Sequence, residues 1–406
     1  MNPELNLRRP RERMPLWLAW VLGGAFMAGM FLRDLTTFDH GMILGADFWG
    51  RDFMNAWTGG HLIRAGRVDV LNDVKVYSAY LQSFFGHVDP HNYSYPPVSY
   101  PLAAALSFFP YWLALALWLC GTGGLFIYAC RRWWPAKTGR AWLAVLTSAA
   151  LVNIWDGQYG FLMGALFLLG WQWVDEHPGR AGVAFGLMLL KPHLAILIPL
   201  ALVLRRDWTA LASTAATVVL LVGGSVLCFG VEPWMNFIFH TGVGQASMID
   251  PGRAFYRFLS TSMATSLMAL GAGWGLALFI QTIVAAAAIA MVGIAVRRGI
   301  PTRELAFLVA TCTFLVLPYA FNYDLTVVAV GALALMTTPA VGYQEYRAGF
   351  YGFISPQLGM ITAIFGISLM PVMLLALAAG QFHCWVLRPS REQGADAGQV
   401  FELARA

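Results

Sequence analysis

Charge is what this chain has least of. Only 12% of its 406 residues are Asp, Glu, Lys or Arg, while 58% are hydrophobic and the mean hydropathy is +0.62. Soluble domains carry about 25% charged residues, so there is too little charge here to cover a water-facing surface. Alternating strands of about ten residues, the mark of a transmembrane β-barrel, are missing as well. No C-x-x-C pair occurs. The five cysteines, Cys120, Cys130, Cys228, Cys312 and Cys384, all lie in or beside apolar runs. They read as small packing residues, which argues against a disulfide framework or a cysteine metal site. His61, His87, His91 and His240 show no ligand spacing, so neither a metal nor another cofactor is expected. There is no Gly-rich nucleotide loop, no repeat of solenoid period, and no stretch long enough for a separate soluble domain.

What is present are apolar runs approaching the roughly 20 residues that cross a hydrocarbon core as helix. The expected class is all-α, a polytopic helical membrane protein. Net charge is +5, and the basic residues are nearly all Arg. They cluster at Arg8, Arg9, Arg11 and Arg13, at Arg131 and Arg132, at Arg205 and Arg206, and at Arg297, Arg298 and Arg303. Each cluster abuts an apolar run, the pattern of cytoplasmic loops under the positive-inside rule. Nucleic acid is not an expected partner, whereas membrane lipid is. The first span follows the basic stretch without a small-residue cleavage motif, and is read as a retained helix.

With the Arg clusters inside, a topology follows. Segment 15–32 leads out, and a polar loop over 33–97 lies outside. Segment 98–109 is only about 18 Å long as helix and is bracketed by prolines, so a short re-entrant or surface helix is expected there. Segments 111–130, 141–155 and 159–174 cross in turn. Two half-length pieces, 181–190 and 194–204, flank Lys191-Pro192-His193, because Pro192 breaks the helix between them. Segment 209–229 leads to a second outer loop, 230–257. Crossings at 274–296, 304–317 and 325–336 follow, with a last pair near 349–368 and 371–387. The total is about twelve crossings in a single membrane domain, 1–387, followed by a cytoplasmic tail, 388–406.

On this topology the polar outliers converge on the outer face: Asp47, Asp52, Asp156, Gln158, Lys191, His193, Tyr323 and Asp324. A charge at mid-bilayer costs on the order of 3 kcal/mol on insertion scales, so such residues line a cavity or meet a partner. Plainer roles compete. Asp156 and Asp324 can cap helices, Lys191 can reach toward headgroups, and Asp52 can be a solvated loop carboxylate. At the level of function, a membrane enzyme competes with a transporter or lipid flippase, which also uses broken helices and intramembrane charge, and with a non-catalytic scaffold. The long loop after the first span and the lack of an inverted repeat favour the enzyme.

The motifs then suggest a family. Asp52-Phe53, Asn55-Ala56-Trp57 and Gly66 are followed by Tyr93-Ser94-Tyr95-Pro96-Pro97, Pro110 and Ala116-Leu117-Trp118. Asp156-Gly157-Gln158, Leu190-Lys191-Pro192, Arg205-Arg206-Asp207-Trp208, Tyr319 and Tyr323-Asp324-Leu325 continue the order. Over residues 47–330 the chain resembles the bacterial polytopic glycosyltransferases of family 87 (the DUF2029 group), GT-C enzymes related to polyprenol-phosphate-mannose-dependent mannosyltransferases. The resemblance implies a GT-C-like fold in the bacterial inner membrane, with an active site on the periplasmic side. It implies a polyprenyl-phosphate sugar donor, carrying mannose or another hexose or pentose, and a lipid or glycan acceptor. It also implies a first-loop Asp as general base. Asp52 takes that role, with Asp47 as competitor. Lys191, His193, Asp156, Gln158, Tyr95, Arg253, Arg257, Tyr323 and Asp324 are then the expected contacts for donor phosphate and substrate. One departure is Val70-Leu71-Asn72-Asp73, where the family often carries a Tyr-Asp pair.

Overall fold

The structure is a computed structural model that describes residues 13–89, 91, 93–241, 254–339 and 341–388. Helix α1 (Leu16–Thr36) starts after the extended Pro15 and ends where the Thr36 and Thr37 hydroxyls donate to the Arg33 carbonyl. A two-residue antiparallel hairpin follows, β1 (Met42–Ile43) with β2 (Asp47–Phe48), in the register Met42↔Phe48. The outer loop then folds into two helices, α2 (Asp52–Arg64) and α3 (Val74–Phe85). The polar character of residues 33–97 does not announce them. Asp73 explains one start, since its carboxylate accepts from Lys75 N and Val76 N and caps α3. The short segment expected at 98–109 is a single-turn 3-10 helix, Pro97–Ser99, running into α4 (Tyr100–Leu106).

Helix α5 (Tyr111–Cys130) has the expected bounds, set by Pro110 before it and Arg131 after it. The expected crossing at 141–155 is divided: a 3-10 piece, Ala141–Leu146, gives way at the extended Thr147 to α6 (Ser148–Asp156). Helix α7 (Gly160–Trp173) follows, then α8 (Pro178–Leu187) and α9 (Ile198–Arg205). Between α8 and α9 two 3-10 turns, Met188–Leu190 and Pro192–Ala195, leave Lys191 at the kink between them. The remaining helices are α10 (Trp208–Phe229), α11 (Glu232–Asn236), α12 (Ala254–Leu259), α13 (Met263–Ala269), α14 (Trp274–Arg297), α15 (Thr302–Val316), α16 (Thr326–Thr337), α17 (Tyr343–Ile364) and α18 (Met370–Phe382).

Five helices among the described residues are long and apolar enough to cross a membrane: α1, α5, α10, α14, and Met370–Leu387, which extends α18. Against about twelve expected crossings, the other apolar runs form shorter helices, including Gly160–Trp173, Pro178–Leu190, Pro192–Arg205 and Thr326–Thr337. Packing explains the difference in length. Helices α7 and α16 are apolar all round and almost wholly buried against α5, α6, α15 and α17, so protein and not lipid satisfies their surfaces. Helix α10 is the opposite case. Its Leu220 is 75% exposed and Leu227 89% exposed, a surface that suits hydrocarbon and not water. The fold is an all-α polytopic membrane protein.

The bundle has two distinct ends. At the C-terminal end of α7, Arg205 pairs with Asp175 at 2.5 Å and Arg132 with Glu176 at 3.0 Å. Thr302 donates to Asp175 at 2.7 Å, and Arg303 donates to the Trp133 carbonyl at 3.2 Å. Several Arg clusters therefore gather at one end. Gln158 lies beyond the other end of α7, about 21 Å of helix away.

Candidate functional site

Three segments meet at that opposite end: the start of α2, the turn between α6 and α7, and the break between α8 and α9. Gly157 makes the first junction possible. It closes α6 in the left-handed conformation at φ 65°, and a Cβ there would lie 2.7 Å from both the Gly50 carbonyl and Phe53 Cβ. A residue with no side chain is needed for the two turns to touch. Trp118 Nε1 donates to the Gly157 carbonyl at 3.1 Å and fixes the turn from the α5 side.

Aromatic packing brings in the end of the outer loop. Tyr77 donates to the Asn55 carbonyl at 2.7 Å, Tyr93 and Ser99 share a 2.8 Å hydroxyl bond, and Tyr93 packs on Tyr95. The Tyr95 ring then lies 4.6 Å from that of Tyr159, within a short reach of Gln158. Burial pushes the Tyr95 phenol well above its ordinary range, which keeps it a neutral donor.

A hydrogen-bonded chain crosses this junction. Gln158 Nε2 donates to Asp52 Oδ2 at 2.5 Å. Gln158 Oε1 accepts from Lys191 Nζ at 3.0 Å and from Tyr95 at 3.3 Å. Lys191 Nζ also donates to both oxygens of Asp324 at 3.0 Å and stands 4.8 Å from the centre of the Tyr323 ring. Both charged side chains of the Lys191–Asp324 pair are under 10% exposed, so each is the other's compensation for lost water. Lys191 therefore does not extend toward headgroups. Asp324 caps no helix, and Asp52 is half-buried at the first turn of α2. A carboxylate there is favoured by the helix dipole.

Around this chain lie polar groups that the fold leaves unengaged. Asp156 is fully buried and neither of its oxygens has a hydrogen-bond partner among the described residues. The same holds for both amide atoms of Asn322 and for the Tyr159 hydroxyl. The last residue of α6, Asp156 caps nothing, and it lies within electrostatic reach of Asp52, Arg51, Asp47 and Lys191. Buried polar groups are paired in more than about 90% of cases. Three such residues lie beside one network.

A second cluster sits just behind Asp52, and of its members only Asp47 stands out in the sequence. Arg51 is buried, with its Nη2 donating to Asp34 Oδ2 at 2.6 Å and its guanidinium 3.6 Å from the centre of the Trp155 ring. Trp155 Nε1 donates to the same Asp34 oxygen at 2.7 Å. Asp47 belongs to this cluster, 3.7 Å from Arg51 Nε. Burial raises the Asp47 pKa from its ordinary value, with Arg51 opposing the shift.

The other expected contacts are placed less centrally. His193 is half-buried, its ring 6.3 Å from that of Tyr319. Arg257 is on α12, which packs against α17. Arg253 lies outside the described residues. Among the described residues, no three His, Cys, Asp or Glu side chains gather as a metal site.

A family model described as glycosyltransferase family 87 matches residues 93–318, more than half the chain. The matched stretch contains Tyr95, Asp156, Gln158 and Lys191, and leaves Asp52 and Asp324 outside it. No curated protein and no solved structure matches the chain.

Proposed function

The chain belongs to glycosyltransferase family 87, and from that premise we propose that it moves a sugar from a polyprenyl-phosphate donor to a hydroxyl of a lipid or glycan, with Asp52 as general base. The observation that carries this reading is the 2.5 Å bond from Gln158 to Asp52, which ties a first-loop carboxylate to the buried Lys191–Asp324 pair. Asp47 is the weaker candidate because its carboxylate faces Arg51.

In this mechanism one Asp52 oxygen keeps the Gln158 hydrogen bond and the other takes the proton of the acceptor hydroxyl. The freed oxygen attacks the anomeric carbon. The bond from that carbon to phosphate oxygen breaks, and the polyprenyl phosphate leaves as an anion. General-base help of this kind supplies roughly 10²–10⁴-fold. Lys191 is the buried cation joined to Asp52 through Gln158, and it stabilises the leaving phosphate. Its N–H groups are engaged by Asp324 and Gln158, so phosphate must take one of those places. Asp156, Tyr95 and Tyr323 meet the sugar, and His193 and Arg257 are further candidates for contact with the donor. A single displacement inverts the anomeric centre.

We read the site as lying on the periplasmic face of the bacterial inner membrane; the gathering of Arg clusters at the far end of the bundle supports this, since such clusters favour the cytoplasmic side. The test is incubation of purified protein with a panel of polyprenyl-phosphate sugars and lipid extract. Mass spectrometry should detect a hexose or pentose increment, and NMR of the product should report an inverted anomer. Retained anomeric configuration would rule out the single displacement. Absence of any increment across the panel would count against the donor class.

A further inference from the structure

We propose that Asp34, Arg51 and Trp155 form a lock that sets the direction of the Asp52 carboxylate; this rests on the reading of Asp52 as base. These three residues come from the end of α1, the turn before α2 and the end of α6. They close a triangle. Arg51 donates to Asp34 at 2.6 Å and to the Trp155 carbonyl at 3.4 Å, and Trp155 donates back to Asp34 at 2.7 Å.

The position of the triangle gives it its meaning. Arg51 immediately precedes Asp52, and Trp155 precedes Gln158 by three residues. Both partners of the Asp52–Gln158 bond are thus anchored to one rigid unit. Arg51 has φ 36° and ψ −108°, a conformation that side-chain-bearing residues rarely adopt and that persists only when the surroundings impose it. Because this is the residue before α2, its backbone angles aim the first turn of that helix. With Arg51 only 3% exposed and Asp34 1%, the pair pays heavily in desolvation, and well-packed apolar residues would be as stabilising or more so. A fixed geometry is the return on that cost. Arginine suits the task because its planar fork can bond Asp34 edge-on while stacking on the Trp155 ring.

None of the three touches the reacting atoms, so they are positioning residues that act through Asp52. The test measures kcat, donor KM and thermal midpoint for purified Arg51→Gln, Arg51→Lys, Trp155→Phe and the double variant Arg51→Gln/Asp52→Asn. Arg51→Gln should lower kcat about 100-fold. Donor KM should stay within about threefold, the signature of a contribution made only in the transition state. Arg51→Lys should not rescue, since an ammonium keeps the charge and loses the fork. Trp155→Phe keeps the stacking ring and loses one N–H donor, so its kcat should fall between those of the parent and Arg51→Gln, and it covers the case in which Arg51→Gln fails to fold. The double variant should be no slower than Asp52→Asn alone. A kcat for Arg51→Gln or Trp155→Phe within about twofold of the parent, with Asp52→Asn inactive, would overturn the lock alone. Multiplicative losses in the double variant would overturn it too. Full turnover by Asp52→Asn would instead remove the base assignment, and the lock with it.

Discussion

The two ends of the bundle carry the same chemistry in different surroundings. At the Arg-rich end, Arg132 and Glu176 are each more than half exposed, and Asp175 opposite Arg205 is 55% exposed. At the site end, the side chains of Arg51, Asp34, Lys191 and Asp324 are all under 10% exposed. Exposed pairs contribute about 0–1 kcal/mol. Buried pairs cost several kcal/mol per ion in desolvation before their attraction is counted. Charge at the first end is cheap to keep. At the second it is expensive, and its persistence points to a requirement for particular geometry.

The sharpest way to break this contrast is to remove function without removing fold. Asp52→Asn keeps the shape and leaves Gln158 a carbonyl oxygen to bond. Transfer should fall by roughly 10²–10⁴-fold, measured as product formed per minute, while the thermal midpoint in detergent changes little. Wild-type turnover would take Asp52 out of the chemistry.

Removing one member of the buried ion pair should damage fold and function together. Lys191→Ala leaves Asp324 buried and uncompensated, at a cost of about 3–5 kcal/mol. It should also weaken apparent donor affinity more than acceptor affinity. The double variant Lys191→Met/Asp324→Leu should recover most of the stability and none of the activity. Recovery of activity in the double variant would show that the pair only holds helices together.

Gly157→Ala tests the contact between turns. The left-handed conformation costs an L-residue roughly 1–2 kcal/mol, and the new Cβ would crowd Gly50 and Phe53. Overpacking adds about 1–3 kcal/mol, so a clear fall in thermal midpoint is expected together with loss of transfer. An unchanged midpoint would mean the two turns separate easily.

Much of this organisation is visible in the sequence, for reasons that differ by residue. The bounds of α5 and the break at Lys191-Pro192 follow from proline, which lacks an N–H and stops helices locally. Asp52, Gln158, Lys191 and Asp324 stand out because polar groups beside apolar runs need partners. Their identity as one chain is a long-range fact, since Asp52 and Gln158 are 106 residues apart. Asp34, Arg51 and Trp155 give no such signal. Asp34 follows Arg33 at what reads as an ordinary helix end, and Trp155 reads as one more apolar residue. Helix α2 was hidden for another reason: it buries Asn55 and Thr58 along with its apolar residues, so no amphipathic stripe marks it. Its polar residues meet protein, as with Asn55 and Tyr77.

The smallest expected effect closes the contrast. Arg132→Gln removes an exposed pair with Glu176 and a 3.3 Å bond to the Gln172 carbonyl. Water replaces both partners, so stability should change by no more than about 1 kcal/mol and turnover should be unaffected. Arg205→Gln is the stricter variant, because Arg205 is better shielded and bonds Asp175, Asp207 and Thr302 together. Its loss should be larger than that of Arg132→Gln, and raising salt should shrink the difference between each variant and its parent, since exposed pairs are screened within about 10 Å at 0.1 M. The buried Arg51–Asp34 and Lys191–Asp324 pairs should show little salt dependence under the same conditions. Equal salt sensitivity at both ends would mean that water reaches the site end freely, and the distinction between cheap and costly charge would not hold.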